Sequence, residues 1–144
     1  MLIGEYRHTL DSKKRVALPA KFRKLMGEKV IITHGLDSCL FVYPESEWAI
    51  VAEKLADMSI LQADSRRFNR FMLAGAVESE VDSMGRVLIP DFLKEYAGLG
   101  TKVVITGVHK RAEIWDEERW KVYTKQVAQT ADTLAEKLSE VGIF

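Results

Sequence analysis

Apolar and polar positions follow a two-residue period, then a helical one, and the order then recurs. In residues 3–10, Tyr6, His8 and Leu10 fall on one side and Glu5, Arg7 and Thr9 on the other, which predicts a strand. Asp11-Ser12-Lys13-Lys14 interrupts it with turn-forming residues. Val16-Ala17-Leu18 resumes the strand, so 3–18 is expected to be a hairpin-like unit with a basic tip. Pro19 suits the first turn of a helix, whose stripe is Phe22, Leu25 and Met26 and whose stop is Gly27. Two more strands are expected over 30–33 and 40–43. Pro44-Glu45-Ser46-Glu47 then opens a helix carrying Trp48, Val51, Ala52 and Leu55. A second helical stretch is expected over 64–73, ended by Gly75.

From Ala76 the order repeats: strands over 77–81 and 87–89, a short helix over 91–97, and strands over 102–106 and 112–115. A last helix follows Asp116-Glu117-Glu118, with an apolar stripe of Trp120, Tyr123, Val127, Ala131, Leu134, Leu138 and Val141. So long a stripe on a chain with little core to spare is expected to pack on a neighbouring copy or subunit. The repetition extends to residue identity. Asp11-Ser12-Lys13-Lys14-Arg15-Val16-Ala17-Leu18-Pro19 returns as Asp82-Ser83-Met84-Gly85-Arg86-Val87-Leu88-Ile89-Pro90. One supersecondary unit is built twice, and no Pro/Ser-rich linker separates the copies. The expected division is a first repeat over 1–48, helices over 49–75, a second repeat over 76–120 and a terminal helix over 121–144. The fold class is mainly β with helices, α+β.

A length of 144 residues suits one domain or two small units sharing a core. No apolar run approaches the ~18 residues of a membrane helix, and no export signal is visible. The single Cys39 excludes an internal disulfide and, in the run Cys39-Leu40-Phe41-Val42, reads as a buried structural thiol. A cytoplasmic protein is expected.

The formal net charge is zero, but its distribution is uneven. Residues 5–29 hold eight basic side chains against three acidic ones, and residues 76–102 hold three against five. A local basic patch binds polyanions even on a neutral chain. His8, His34 and His109 are scattered without metal-ligand spacing, and phosphate-loop, dinucleotide and nucleophile-elbow motifs are absent. No cofactor, metal or catalytic constellation is indicated, which argues against an enzyme. Asp11 with Arg15, and Asp82 with Arg86, are spaced to pair across their turns. Each Arg either braces its turn or offers a bidentate donor to phosphate or a guanine edge. With Lys13 and Lys14 beside it, Arg15 is expected to face a ligand. With Met84 and Gly85 beside it, Arg86 is expected to be structural. Arg66, Arg67 and Arg70 read as a solvated helix face or a further binding surface.

The doubled Asp-Ser-x-x-Arg-Val-x-(Leu/Ile)-Pro motif resembles the MraZ family over nearly the whole chain. The resemblance implies two SpoVT–AbrB-like units, interlocked as a pseudo-two-fold swapped-hairpin barrel. It also implies a bacterial DNA-binding transcriptional regulator of the division and cell-wall gene cluster. Such a protein binds tandem direct repeats in promoter double-stranded DNA as a ring-shaped homo-oligomer, is nucleoid-associated, and has no membrane partner. On this reading Arg15, Lys13, Lys14 and Arg7 are the DNA-binding residues, and Asp11, Asp82 and Arg86 are motif residues of structural role. The competing class is an oligomeric assembly or protein-docking module on the same barrel. One departure stands out: the family commonly has Gly before the motif Arg, as at Gly85, whereas the first copy has Lys14. If that position needs a positive φ, Lys costs about 1–2 kcal/mol there, and the first turn is expected to differ in shape.

Overall fold

The computed structural model describes residues 1–143. Its elements run β1 (Leu2–Thr9), β2 (Arg15–Ala17), α1 (Ala20–Met26), β3 (Lys29–His34), β4 (Leu40–Pro44), α2 (Glu45–Ala56) and α3 (Ala63–Asn69). A π-helical turn (Arg70–Ala74) leads into the second copy: β5 (Val77–Glu80), β6 (Arg86–Leu88), α4 (Asp91–Ala97), β7 (Lys102–His109), β8 (Ala112–Asp116) and α5 (Glu117–Glu140). The α+β class and the doubled order stand as expected.

The strands of each copy pair with the other copy. β1 runs antiparallel to β7 from Leu2↔His109 to Thr9↔Lys102. β2 runs antiparallel to β6 through Arg15↔Leu88, Val16↔Val87 and Ala17↔Arg86. The six-stranded sheet has the order β1-β7-β8-β4-β3-β5, and β2-β6 forms a separate ribbon. This corrects the hairpin expected over 3–18. The Asp11–Arg15 turn closes with Asp11 N donating to Arg15 O at 2.9 Å, but the strands on either side then leave for different sheets. Interlocking lets both copies fill one core. Val16, Leu18, Phe22, Met26, Val30 and Ile32 pack with Val87, Ile89, Leu93, Ala97, Val103 and Ile105, and all are buried.

A second cluster lies around Cys39, Phe41, Tyr43, Leu55, Met72 and Trp115. Because β3 and β4 carry apolar side chains on both faces, they are buried on both. Trp48 packs on Tyr43, with ring centroids 5.5 Å apart. Trp120 and Tyr123 of α5 pack on Trp115 at 5.2 and 4.7 Å. Cys39 is buried and free, and burial pushes its thiol well above the usual range.

The helix expected over 64–73 changes character part-way. From Arg70 it widens into the π-helical turn, where Thr33 Oγ1 donates to Met72 O (2.7 Å) and His34 Nδ1 to Phe71 O (2.9 Å). Two side chains of β3 thus take up the carbonyls that end the helix. Beyond Tyr123, α5 leaves the body. None of its residues is fully buried, and Leu134 and Leu138 are 41% and 45% exposed. Past Tyr123 its stripe has no cover among the described residues.

Candidate nucleic-acid interface

Each motif turn is organised by its aspartate. Asp11 Oδ1 accepts from Lys13 N (2.8 Å) and Arg15 N (2.9 Å), while Oδ2 accepts from Arg15 Nε (3.0 Å). Asp82 Oδ1 accepts from Met84 N (2.9 Å) and Arg86 N (2.8 Å), while Oδ2 accepts from Arg86 Nε (2.8 Å). The aspartate therefore fixes both the loop and the root of the arginine. The Arg15 backbone N–H, then its side chain and the Lys13 N–H, hold the Asp11 carboxyl below the usual range. The Arg86 backbone N–H, its side chain and the Met84 N–H do the same at Asp82. Only Nε of each guanidinium is engaged. Among the described residues, no hydrogen bond engages the Nη groups of either arginine. That free edge is the one that recognises paired acceptors.

The two turns have the same shape, contrary to expectation. Lys14 takes φ 62° and Gly85 takes φ 77°. Lys14 N and Gly85 N donate to Asp11 O and Asp82 O at 3.0 and 2.9 Å. The aspartate bonds impose the left-handed residue whatever its side chain, and Lys14 bears that strain. Its Nζ pairs with Asp91 of α4.

The ribbon sets the arginines on one face, diagonally across from each other. Leu18 N donates to Gly85 O (2.9 Å) and Ile89 N to Lys14 O (2.8 Å), so the β2–β6 ladder continues into both turns. Val16 and Val87 at its centre are each 1% exposed. Strand alternation then places Arg15, Ala17, Arg86 and Leu88 on the outer face. The arginine side chains are 31% and 26% exposed, so their presentation is alike. Their neighbours differ: Lys13 and Lys14 on one side, Met84 and Gly85 on the other.

The interlock also redistributes charge. The cation over the second turn is Arg23 of the first copy, which donates from Nε to Leu18 O at 3.1 Å. It packs so closely on Gly85 that a Cβ there would overlap the guanidinium. Lys94 of the second copy lines a cleft beside Asp11, Ser12 and Lys14. The basic window over 5–29 is therefore a property of the sequence, shared in space between the two turns. Arg7 is on the six-stranded sheet rather than the ribbon, and pairs with Glu5 at 3.4 Å. Arg67 pairs with Asp64 at 3.2 Å, and Arg66 donates to Ile60 O, on an exposed stretch of α3. Sequence reasoning missed Arg23, Lys94 and Asp91. The signal was the repeat itself, since interlocked copies flank each turn with the other copy's helix.

The family profile described as "MraZ protein, putative antitoxin-like" matches residues 1–71 and again 72–140. The chain belongs to the MraZ family. Its similarity to curated MraZ proteins is end to end. A protein of Caldicellulosiruptor saccharolyticus named "Transcriptional regulator MraZ" is 50% identical over 143 residues, spanning 99% of this chain and 100% of that one. Its namesake in Caldanaerobacter subterraneus subsp. tengcongensis is 49% identical over the same shares. The solution structure of PHS018 from Pyrococcus horikoshii is a distant likeness, with a TM-score of 0.32 and 15% identity over 79% of this chain and 88% of that one. The two MraZ matches meet inside the π-helical turn, between the two Asp-x-x-x-Arg turns.

Proposed function

We propose that this MraZ-family chain is a sequence-specific DNA-binding transcriptional regulator of the division and cell-wall gene cluster. It acts in the cytoplasm, associated with the nucleoid, as a ring-shaped homo-oligomer on tandem promoter repeats. The observation that carries the reading is the pair of aspartate-clamped arginines on one outward ribbon face, each with a free Nη edge. Such an edge matches guanine O6 and N7 in the major groove, or a phosphate. Lys13 and Lys14 add phosphate contacts around Arg15, and Arg7 extends the basic surface along β1. Asp11 and Asp82 hold the geometry, with Arg86 bracing the second turn. The curated relatives' name, transcriptional regulator, agrees with this reading.

The uncovered stripe of α5 supports assembly, because an exposed apolar face calls for a partner. A head-to-tail ring repeats one surface in one sense of rotation, so neighbouring ribbons meet DNA in the same orientation. No helix among the described residues is long and apolar enough to cross a membrane. The test is a mobility-shift titration with promoter DNA bearing one, two or three site copies, in direct or inverted order. Affinity is expected to rise with each direct copy, by avidity of roughly 10²–10⁴-fold overall. Indifference to copy number, or equal binding to inverted pairs, refutes the parallel arrangement. Absence of any shift, with the oligomer intact, would favour the assembly-module reading.

A further inference from the structure

The outer face of the β2–β6 ribbon is not symmetric, and its asymmetry is apolar. Leu88 is 54% exposed, whereas Val87 and Ile89 on either side are 1% and 0%. Core packing does not account for a leucine there, since the interior cluster is filled by its neighbours and omits it. In the ladder Leu88 stands directly opposite Arg15, with Arg86 two residues along the same strand and face. The matching position in the first copy is Ala17, which stands opposite Arg86. One arginine thus has a long aliphatic neighbour and the other only a methyl.

We propose that Leu88 is a specificity-determining residue that packs against a thymine 5-methyl group beside the base pair met by Arg15. The proposal rests on the DNA-binding reading above. A two-stranded ribbon fits the major groove, and thymine is the base that presents a methyl group there. Directly opposed side chains on one ribbon face sit about 4.5–5.5 Å apart at Cβ, roughly one and a half times the ~3.4 Å rise between neighbouring base pairs, a difference that the two flexible side chains can span. An arginine and a leucine so placed meet adjacent pairs, one by its hydrogen-bonding edge and the other by its aliphatic surface. Ala17 is too short to make the equivalent contact beside Arg86. The ribbon therefore reads DNA with a polarity, and each repeat of the site should carry one such thymine.

The experiment replaces each thymine of the promoter site in turn by deoxyuridine, which removes only the methyl. Binding is titrated with the wild-type protein and Leu88→Ala, and circular dichroism confirms that both are folded. At one thymine per repeat the substitution should weaken wild-type binding roughly fourfold, the value of one buried methyl of about 0.8 kcal/mol. Leu88→Ala should bind the thymine site correspondingly less well and be indifferent to deoxyuridine at that position. If the wild type binds but senses no such substitution, or if Leu88→Ala senses it equally, Leu88 is not the reader and the DNA-binding function stands. If the folded wild type shifts no promoter DNA, that function falls and this inference falls with it.

Discussion

The turns at Asp11–Arg15 and Asp82–Arg86 hold the same set of hydrogen bonds, matched within 0.2 Å, with different residues at the fourth position. Lys14 carries a side chain in left-handed backbone and anchors it on Asp91, while Gly85 leaves room for Arg23. The difference teaches that the aspartate dictates the loop and that the fourth residue decides what lies over it. The first turn gains a cation of its own. The second gains one from the other copy, and only glycine permits it.

The sharpest way to break this equivalence is through the arginines. Arg15→Ala should weaken promoter binding by about 1–3 kcal/mol, the value of a good bidentate contact. Arg86→Ala should cost less, because no lysine flanks it on its own turn. Both are read in one fluorescence-anisotropy titration. Equal losses from two folded proteins would show that the shared geometry, rather than the neighbours, sets the contribution.

The fourth position comes next. Gly85→Ala places a Cβ at positive φ, which costs about 1–2 kcal/mol, and pushes Arg23 off Leu18 O. Lys14→Gly removes the same strain from the other turn, but adds freedom to the unfolded chain and gives up the Asp91 pair. It should shift stability by less than about 1 kcal/mol. Urea unfolding of the two variants checks the contrast. A Gly85→Ala protein as stable as the wild type would show that Arg23 is not held there.

The smallest effect is in acid. Asp11 and Asp82 both have depressed folded-state pKa values. Their contribution is complete above the unfolded value of about 3.9 and is lost as pH falls through the folded values. Melting temperatures of the wild type, Asp11→Asn and Asp82→Asn between pH 7 and 3 should converge below about pH 4. A gap that persists undiminished at pH 3 would mean that ionisation of these carboxyls is not what stabilises the turns.

Much of this was legible beforehand. The doubled motif marked the copies and period-two runs placed the strands, whereas the different first turn expected from Lys14 in place of glycine did not materialise, since Lys14 takes the same positive φ as Gly85. Residue patterns alone did not show the interlock. A three-residue strand such as Arg15–Ala17 specifies which face is buried, as Val16 does, but not which strand it joins. The family resemblance supplied that step. The π-helical turn was hidden because its cause, Thr33 and His34, lies on another element. The site was half legible: the Asp–Arg pairing follows from spacing, whereas Arg23 over Gly85 and Leu88 opposite Arg15 exist only after the copies interlock.

That interlock also governs the order in which the protein can be made. β1 leaves the ribosome first, yet its partner is β7, and the partner of β2 is β6. Until residues 102–109 have emerged, the opening strand has nowhere to pair, and the first copy must wait as an incomplete half. Contacts so distant along the chain carry a loop-closure cost before any burial repays it, and they slow folding. During that interval the exposed Val16, Leu18 and Phe22 can be satisfied as well by another nascent chain as by their own second half, so the architecture that unites two copies within one molecule also makes synthesis the moment when neighbouring molecules can exchange halves.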